Sequence, residues 1–325
     1  PPNIKFMSIS ADQSGLQAEQ DTIRKAVKEH REVAAWNFSD NLSGIKSRIE
    51  KMKDDIDLVI LDYLGPIGVI KGIDFDCPII YISHNCETAL AESLHGKTSH
   101  LTKAIKEMEE QLLTRSDLFV YCGKDDLVEI NKRFNSHSPG FQIPNGTDLR
   151  TGIRAGANSK SKEILFVGSG HPPNVAAAMN LIPLALAMPD YTFNLAGDAS
   201  HYLDDVDTPK NIKILGRVND RHLDELFKTS FAFINPMETG SGTHLKLMRA
   251  LSYGMPIISS TVGARGFSDE EIKDTILIAN TTEEMQRAIE ALSNREYYQL
   301  ASENTLEVVK TYDWKKIQAD FKKLA

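Results

Sequence analysis

Short β-branched apolar runs alternate with helical spacing along nearly the whole chain, and this alternation constrains the fold more than any other feature. IKFMSIS (4 to 10) precedes a helical pattern reaching about His30, EVAAW precedes one around 43 to 54, and DLVILD (57 to 62) runs into a loop holding Gly65 and Pro66. PIIYIS (78 to 83) is followed by an amphipathic stretch from about 100 to 115, and LFVYC (118 to 122) by another near 125 to 134. FQIPNGTDL (141 to 149) closes this half with a strand and a Pro-Asn-Gly turn. Strands separated by helices pair in parallel through right-handed crossovers, so the expected class is α/β.

Residues 150 to 162, RTGIRAGANSKSK, lack apolar periodicity and read as a linker. The alternation then restarts with EILFVGSG, a helix from Asn174, YTFNLAGD, NIKILGRV, a helix near 220 to 228, FAFINP and PIISST. A chain of 325 residues suits two domains of this kind, expected over 1–150 and 151–311. Two doubly wound sheets in tandem would turn their carboxyl edges toward a shared central cleft, where ligands of such folds bind.

The net charge of −8 disfavours a nucleic-acid partner, which would need a basic face to displace counterions. Cys77, Cys86 and Cys122 show no CxxC spacing, so no zinc site or disulfide framework is expected and a reducing, cytoplasmic compartment is the simpler reading. No run approaches the roughly 20 apolar residues of a membrane span. Pro1-Pro2 suggests a trimmed start. The closing DWKKIQADFKKLA could touch the inner face of an anionic membrane, although a helix docked on the protein itself fits its pattern better.

SGTHLKLMRALSYGMP (241 to 256) looks like a helix with its charges at the wrong end. Thr243 is the expected N-cap, Gly254 the stop, and Pro256 a bar to propagation, which puts His244 and Lys246 in the first turn, with Lys246 near the third position. A cation there costs roughly 0.3–1 kcal/mol against the helix dipole. A glycine-rich loop feeding a helix start is an anion site, and an added lysine suits it to phosphate. The alternative is that Lys246 extends into solvent.

ILFVGSGHPPNVAAA, FNLAGD, NIKILGRV, FINPMETGSGTHLKLMRALSYGMPIISSTVGARG and PNGTDL stand in the order and spacing of nucleotide-sugar-dependent glycosyltransferases. The chain resembles the GT-B fold, two Rossmann-like doubly wound domains facing a central cleft, and within it retaining glycosyltransferase family 4. The match runs from about Phe141 to Gly266, while over 1–140 it rests on strand order. The terminal YDWKKI resembles the segment with which that family returns to its first domain, so a helix over 312–325 is expected to pack back on that domain.

The resemblance implies a nucleoside-diphosphate sugar, with UDP the expected nucleotide, held mainly by the second domain. It needs no metal and no further cofactor, and the acceptor is a hydroxyl of a glycan, a lipid-linked molecule or a protein. Lys246 with Gly240, Ser241, Gly242, Thr243 and His244 is the expected diphosphate pocket, stabilising the leaving group. Gly168 and Gly170 would let a ligand approach the turn after LFV. Arg217 and Val218 would lie near the base, and His171 or Arg217 could assist the phosphates.

Two departures stand out. Many relatives carry a Glu for the ribose where this chain has Arg249, and a cation cannot accept hydroxyl hydrogen bonds, so either another acceptor such as Glu238 replaces it or the ribose contact is lost. Relatives also carry Arg and Lys after the first strand of the second domain, where this chain has GSGHPPN, and SADQSGLQ (10 to 17) keeps only Gly15 of a glycine-rich loop. In the first domain, SHNCE (83 to 87) follows a strand: His84 could meet the donor sugar or the acceptor hydroxyl with help from Glu87, or these groups could cap the next helix. Asp62 reads as a turn former, and Gly197 with Asp198 as a ligand edge or a plain turn. A catalytically silent subunit, a scaffold or a sugar-nucleotide sensor, is the alternative function. An epimerase would need paired carboxylates, for which the sequence offers no well-placed candidates.

Overall fold

The computed structural model describes residues 40–65, 67–135, 137–240 and 245–321. The strand expected at 4–10, the loop at 10–17 and EVAAW lie outside the described residues. Contacts divide the chain into 1–121 with 126–142, and 122–125 with 143–325.

In the first unit, helix α1 (Asp40–Met52) leads to β1 (Val59–Asp62), the single turn α2 (Ile67–Ile70), β2 (Ile79–Ser83), α3 (Glu87–His95), α4 (His100–Arg115), β3 (Leu118–Tyr121), α5 (Lys124–Arg133) and β4 (Gly140–Gln142). The four strands lie in the order β1-β2-β3-β4, all parallel. Ser99 starts α4 by accepting a hydrogen bond from the Thr102 amide, as an N-cap serine should. Leu61, Tyr81, Leu112, Phe119 and Ile130 are buried together, joining the sheet to α4 and α5. Each such side chain stabilises by roughly 1.5–3 kcal/mol on leaving water.

The second unit holds β5 (Glu163–Val167), α6 (Pro172–Met179), α7 (Leu181–Ala187), β6 (Thr192–Ala196), β7 (Ile212–Gly216), α8 (Asp220–Thr229), β8 (Ala232–Asn235), α9 (Leu245–Ser252), β9 (Ile257–Ser259), α10 (Asp269–Thr275), β10 (Ile276–Ile278), α11 (Thr282–Leu292), α12 (Arg295–Val308) and α13 (Trp314–Phe321). Its parallel sheet runs β10-β9-β8-β5-β6-β7, which places the order reversal between β5 and β8. Successive residues of β5 face opposite sides. Ile164 and Phe166 enter a core with α7, α11 and Tyr298, whereas Leu165 enters another with Phe227, Leu247 and Leu251. A sheet covered on both faces is why its strands read as continuous apolar runs.

Residues 150–162 do not behave as the linker their composition suggests. The Gly156 amide donates to Ser302 Oγ at 3.0 Å, and Asn158 Nδ2 donates to the Lys228 and Ser230 carbonyls at 2.6 and 3.1 Å. Both anchors belong to the second unit. Trp314 and Ile317 lie against Gly146, and Thr147 bridges to Asp313 in parallel. The terminal helix therefore meets PNGT, within the first 150 residues by number but in the unit formed with 143–325.

Candidate functional site

In an open parallel sheet, ligands settle outside the carboxyl ends of the strands where strand order reverses. In the second unit that point lies between the loop after β5, starting at Gly168, and the loop after β8, described as far as Gly240. The helices that follow these loops, α6 and α9, supply Asn174 and Lys246. Lys246 Nζ donates to Asn174 Oδ1 at 2.9 Å, Asn174 Nδ2 donates to Ser169 Oγ at 3.1 Å, and the ammonium sits over the Phe166 ring, 5.1 Å from its centre. Its other neighbour is the Met237 sulfur at 3.7 Å. No carboxylate pairs with Lys246 among the described residues, and burial pulls its pKa down to about 7. An enclosed ammonium with neutral partners is poorly satisfied until an anion arrives.

Lys246 therefore does not extend freely into water. Described residues of its helix begin at Leu245, so Ser241, Gly242, Thr243 and His244 lie outside the described residues. Gly240 is described, with φ 144°, and its carbonyl accepts from Arg265 Nη1 at 2.8 Å. Gly254 ends the helix at φ 62°, as a left-handed stop should. Leu245 is exposed, and the buried face is Leu247, Met248, Ala250 and Leu251.

Asn174 escaped sequence reasoning although GSGHPPN was in view, because an asparagine at a helix start reads as local capping. α6 opens on Pro172 and Pro173, which carry no amide hydrogens, and the Asn174 amide donates to the His171 carbonyl at 2.9 Å. The helix mouth thus offers an anion little by itself.

The remaining predicted residues disperse. Arg217 is exposed and paired twice with Asp198, at 2.6 and 3.2 Å, which lowers the carboxyl pKa and raises that of the guanidinium. Val218 packs against the core around Phe227, and Glu238 accepts from Asn180 Nδ2 at 2.9 Å. No hydrogen bond ties His171's side chain to the helix it precedes. At Gly168 a Cβ would press on Phe166 and Ala199, so the protein's own packing already explains that glycine, whereas Gly170 has ordinary room. Gly197, at φ 91°, sits where a Cβ would strike the Gly168 carbonyl.

Arg249 answers to Asp224, whose Oδ1 accepts from Arg249 Nη2 at 2.6 Å and from the Tyr253 hydroxyl at 2.5 Å, with Arg150 at 3.4 Å. The Tyr253 hydrogen bond first, then Arg249, holds the Asp224 pKa low. The cation is spent on fixing α9 to α8.

In the first unit, β1 and β2 bring Asp62 and His84 to the same sheet edge, Asp62 Oδ1 lying 2.6 Å from His84 Nε2. Asp62 is thus more than the turn former its sequence context suggests. Glu87 is buried and accepts from Asn85 at 2.9 Å, and burial raises its pKa. Its turn is held by Glu109 of α4, which accepts from the Glu87 and Thr88 amides at 2.9 and 2.8 Å. Glu109 caps α3 from a distance, since Cys86 at the N-cap provides no side-chain bond. Desolvation pushes Glu109 up to about 7 against those hydrogen bonds. Among the described residues no cluster of three or more His, Cys, Asp or Glu could hold a metal ion, and no helix is long and apolar enough to cross a membrane.

Residues 161–295 match the family model for glycosyl transferases group 1. The match spans the switch point, with Asn174 and Lys246 both inside it. No curated protein matches the chain by sequence.

Among solved structures, sucrose-phosphate synthase from Thermosynechococcus elongatus is similar at TM-score 0.72 and 14% identity over 87% of this chain and 77% of that one. Anabaena HepE, in complex with UDP and glucose, aligns at 0.70 and 13% over 98% and 97%. S. aureus TarM, in complex with UDP among other molecules, aligns at 0.67 and 12% over 88% of this chain and 59% of that one, so this chain spans less than two thirds of TarM. These likenesses are of fold: the chain has the parallel α/β sheets of GT-B glycosyltransferases.

Proposed function

We propose that the chain is a retaining, family 4-type glycosyltransferase that moves a hexose from a UDP-sugar to a hydroxyl of a glycan, a lipid-linked molecule or a protein. The diphosphate would lie against Lys246, as expected of a site that needs no metal. The observation that carries this reading is the Lys246 ammonium at the switch point, whose partners among the described residues, the Asn174 oxygen and the Met237 sulfur, are neutral. As the bond to the sugar breaks, negative charge gathers on the leaving diphosphate. A cation already desolvated and aimed there stabilises that charge without reorganising. The match to the group 1 family model and the UDP in HepE and TarM support the nucleotide.

Calorimetry with UDP and UDP-sugars, followed by mass-spectrometric detection of the transferred hexose and its anomeric form, tests the proposal. Micromolar UDP binding lost in Lys246→Met is expected, and equal UDP binding by the variant would refute the site. The second reading, a silent sugar-nucleotide sensor or scaffold, is favoured by Arg249, which holds Asp224 where relatives offer the ribose a carboxylate. UDP binding with no transfer to any hydroxyl would select the sensor, and no binding of any nucleoside diphosphate the scaffold.

A further inference from the structure

The geometry of the pair at the edge of the first unit's sheet specifies which atom of the histidine is available. Asp62 is the last residue of β1, in register with Ile82, and His84 follows the end of β2 directly. Tyr63, between β1 and the next turn, holds φ 73° while its amide continues the ladder to the Ile82 carbonyl at 3.1 Å. A non-glycine residue kept in the left-handed region at a strand end is the backbone strain that collects at working sites. It turns the chain sharply after Asp62, and the Tyr63 ring comes to 6.3 Å from His84.

An ionised carboxylate only accepts hydrogen bonds, so in a 2.6 Å contact between Asp62 Oδ1 and His84 Nε2 the proton belongs to Nε2. In the neutral ring Nδ1 then carries the lone pair, and no partner for it exists among the described residues. The side chains are 45% and 70% exposed for His84 and Asp62, enough to be reached and too much for the pair to contribute strongly to the fold. Glu87, the nearest carboxylate in sequence, is buried and already bonded to Asn85.

From these contacts we infer that Asp62 is a positioning residue: by taking the Nε2 proton it fixes His84 to present Nδ1 as acceptor to an alcohol hydroxyl of a substrate bound on the first unit. The inference rests on the sugar-transfer reading for the purpose of that hydroxyl, but the ring's tautomer does not depend on it. An unprotonated ring nitrogen selects a donor such as a sugar or other alcohol O–H and offers nothing to a phosphate.

The test uses the full chain with Asp62→Leu and Asp62→Asn, reading the His84 ring by ¹⁵N NMR at pH 8, sugar transfer by kinetics, and UDP affinity by calorimetry. A single Nε2–H form is expected in the unaltered protein and a mixture in Asp62→Leu. The kcat for transfer should fall about 100-fold, with UDP affinity unchanged within about twofold if only the first unit is touched. Asp62→Asn should be no better, because its amide can donate to Nε2 and force the proton onto Nδ1. An Nδ1–H ring in the unaltered protein, or a normal kcat in Asp62→Leu, overturns the inference. Should the unaltered chain transfer no sugar at all, the sugar-transfer reading falls separately, and the tautomer alone decides the inference.

Discussion

The carboxyl edges of the two sheets treat charge in opposite ways. At the first, Asp62 and His84 meet in the open, and a buried acid, Glu109, is satisfied by backbone amides. At the second, a lysine is enclosed with one amide oxygen, a thioether and an aromatic face. Its neighbour on the same helix, Arg249, makes the contrast sharper, since it sits one turn away and has a counter-charge in Asp224, whose Oδ1 accepts from Nη2. Where a charge already has its counter-charge, the side chain holds structure or orients a neighbour. Where no counter-charge lies among the described residues, as at Lys246, a bound diphosphate takes that role on the proposed reading.

The largest expected effect breaks the second edge. Lys246→Met should lower UDP-dependent turnover by about 100-fold without lowering thermal stability, because it removes a poorly satisfied ammonium. Activity and melting measured on one preparation check both halves. Next, Arg249→Glu, which restores the residue many relatives carry, would set a second carboxylate against Asp224. It should cost about 2 kcal/mol in urea unfolding and fail to improve UDP affinity unless Asp224 is changed as well.

The two edges should also respond to pH in opposite directions. Glu109 is raised to about 7, so between about 4.5 and 7 the folded state holds a proton that the unfolded chain has lost. Stability must fall as pH rises through that window. Lys246 is lowered to about 7, so from there to about 10.5 the unfolded chain holds the extra proton and stability rises with pH. Hydrogen exchange in α3 and in α9, corrected for intrinsic rates, separates the two trends. UDP, by favouring the ammonium, should be bound with uptake of up to one proton at pH 8.5, seen as a dependence of the calorimetric heat on buffer ionisation. The smallest effect expected is Gly170→Ala, within about 0.5 kcal/mol, because its neighbours leave ordinary room.

Much of this was legible where chemistry is local. The β-branched runs at Ile79–Ser83 and Glu163–Val167 became strands, and Gly254 stopped its helix. What escaped depends on contacts between distant residues. Asn174 and Lys246 are 72 positions apart and meet only because strand order reverses between β5 and β8. Asp62 and His84 are 22 apart and meet through strand register. The composition of 150–162 suggests a linker, but could not reveal that Ser302 Oγ and the Lys228 and Ser230 carbonyls would claim its amides.

The two prolines that open α6 remove donors that no substitution elsewhere on that helix can restore. Attraction for an anion is thereby concentrated in a titratable group instead of being spread over permanent backbone dipoles. On the proposed reading, such a site would hold a diphosphate when the medium supplies protons and release it as they become scarce.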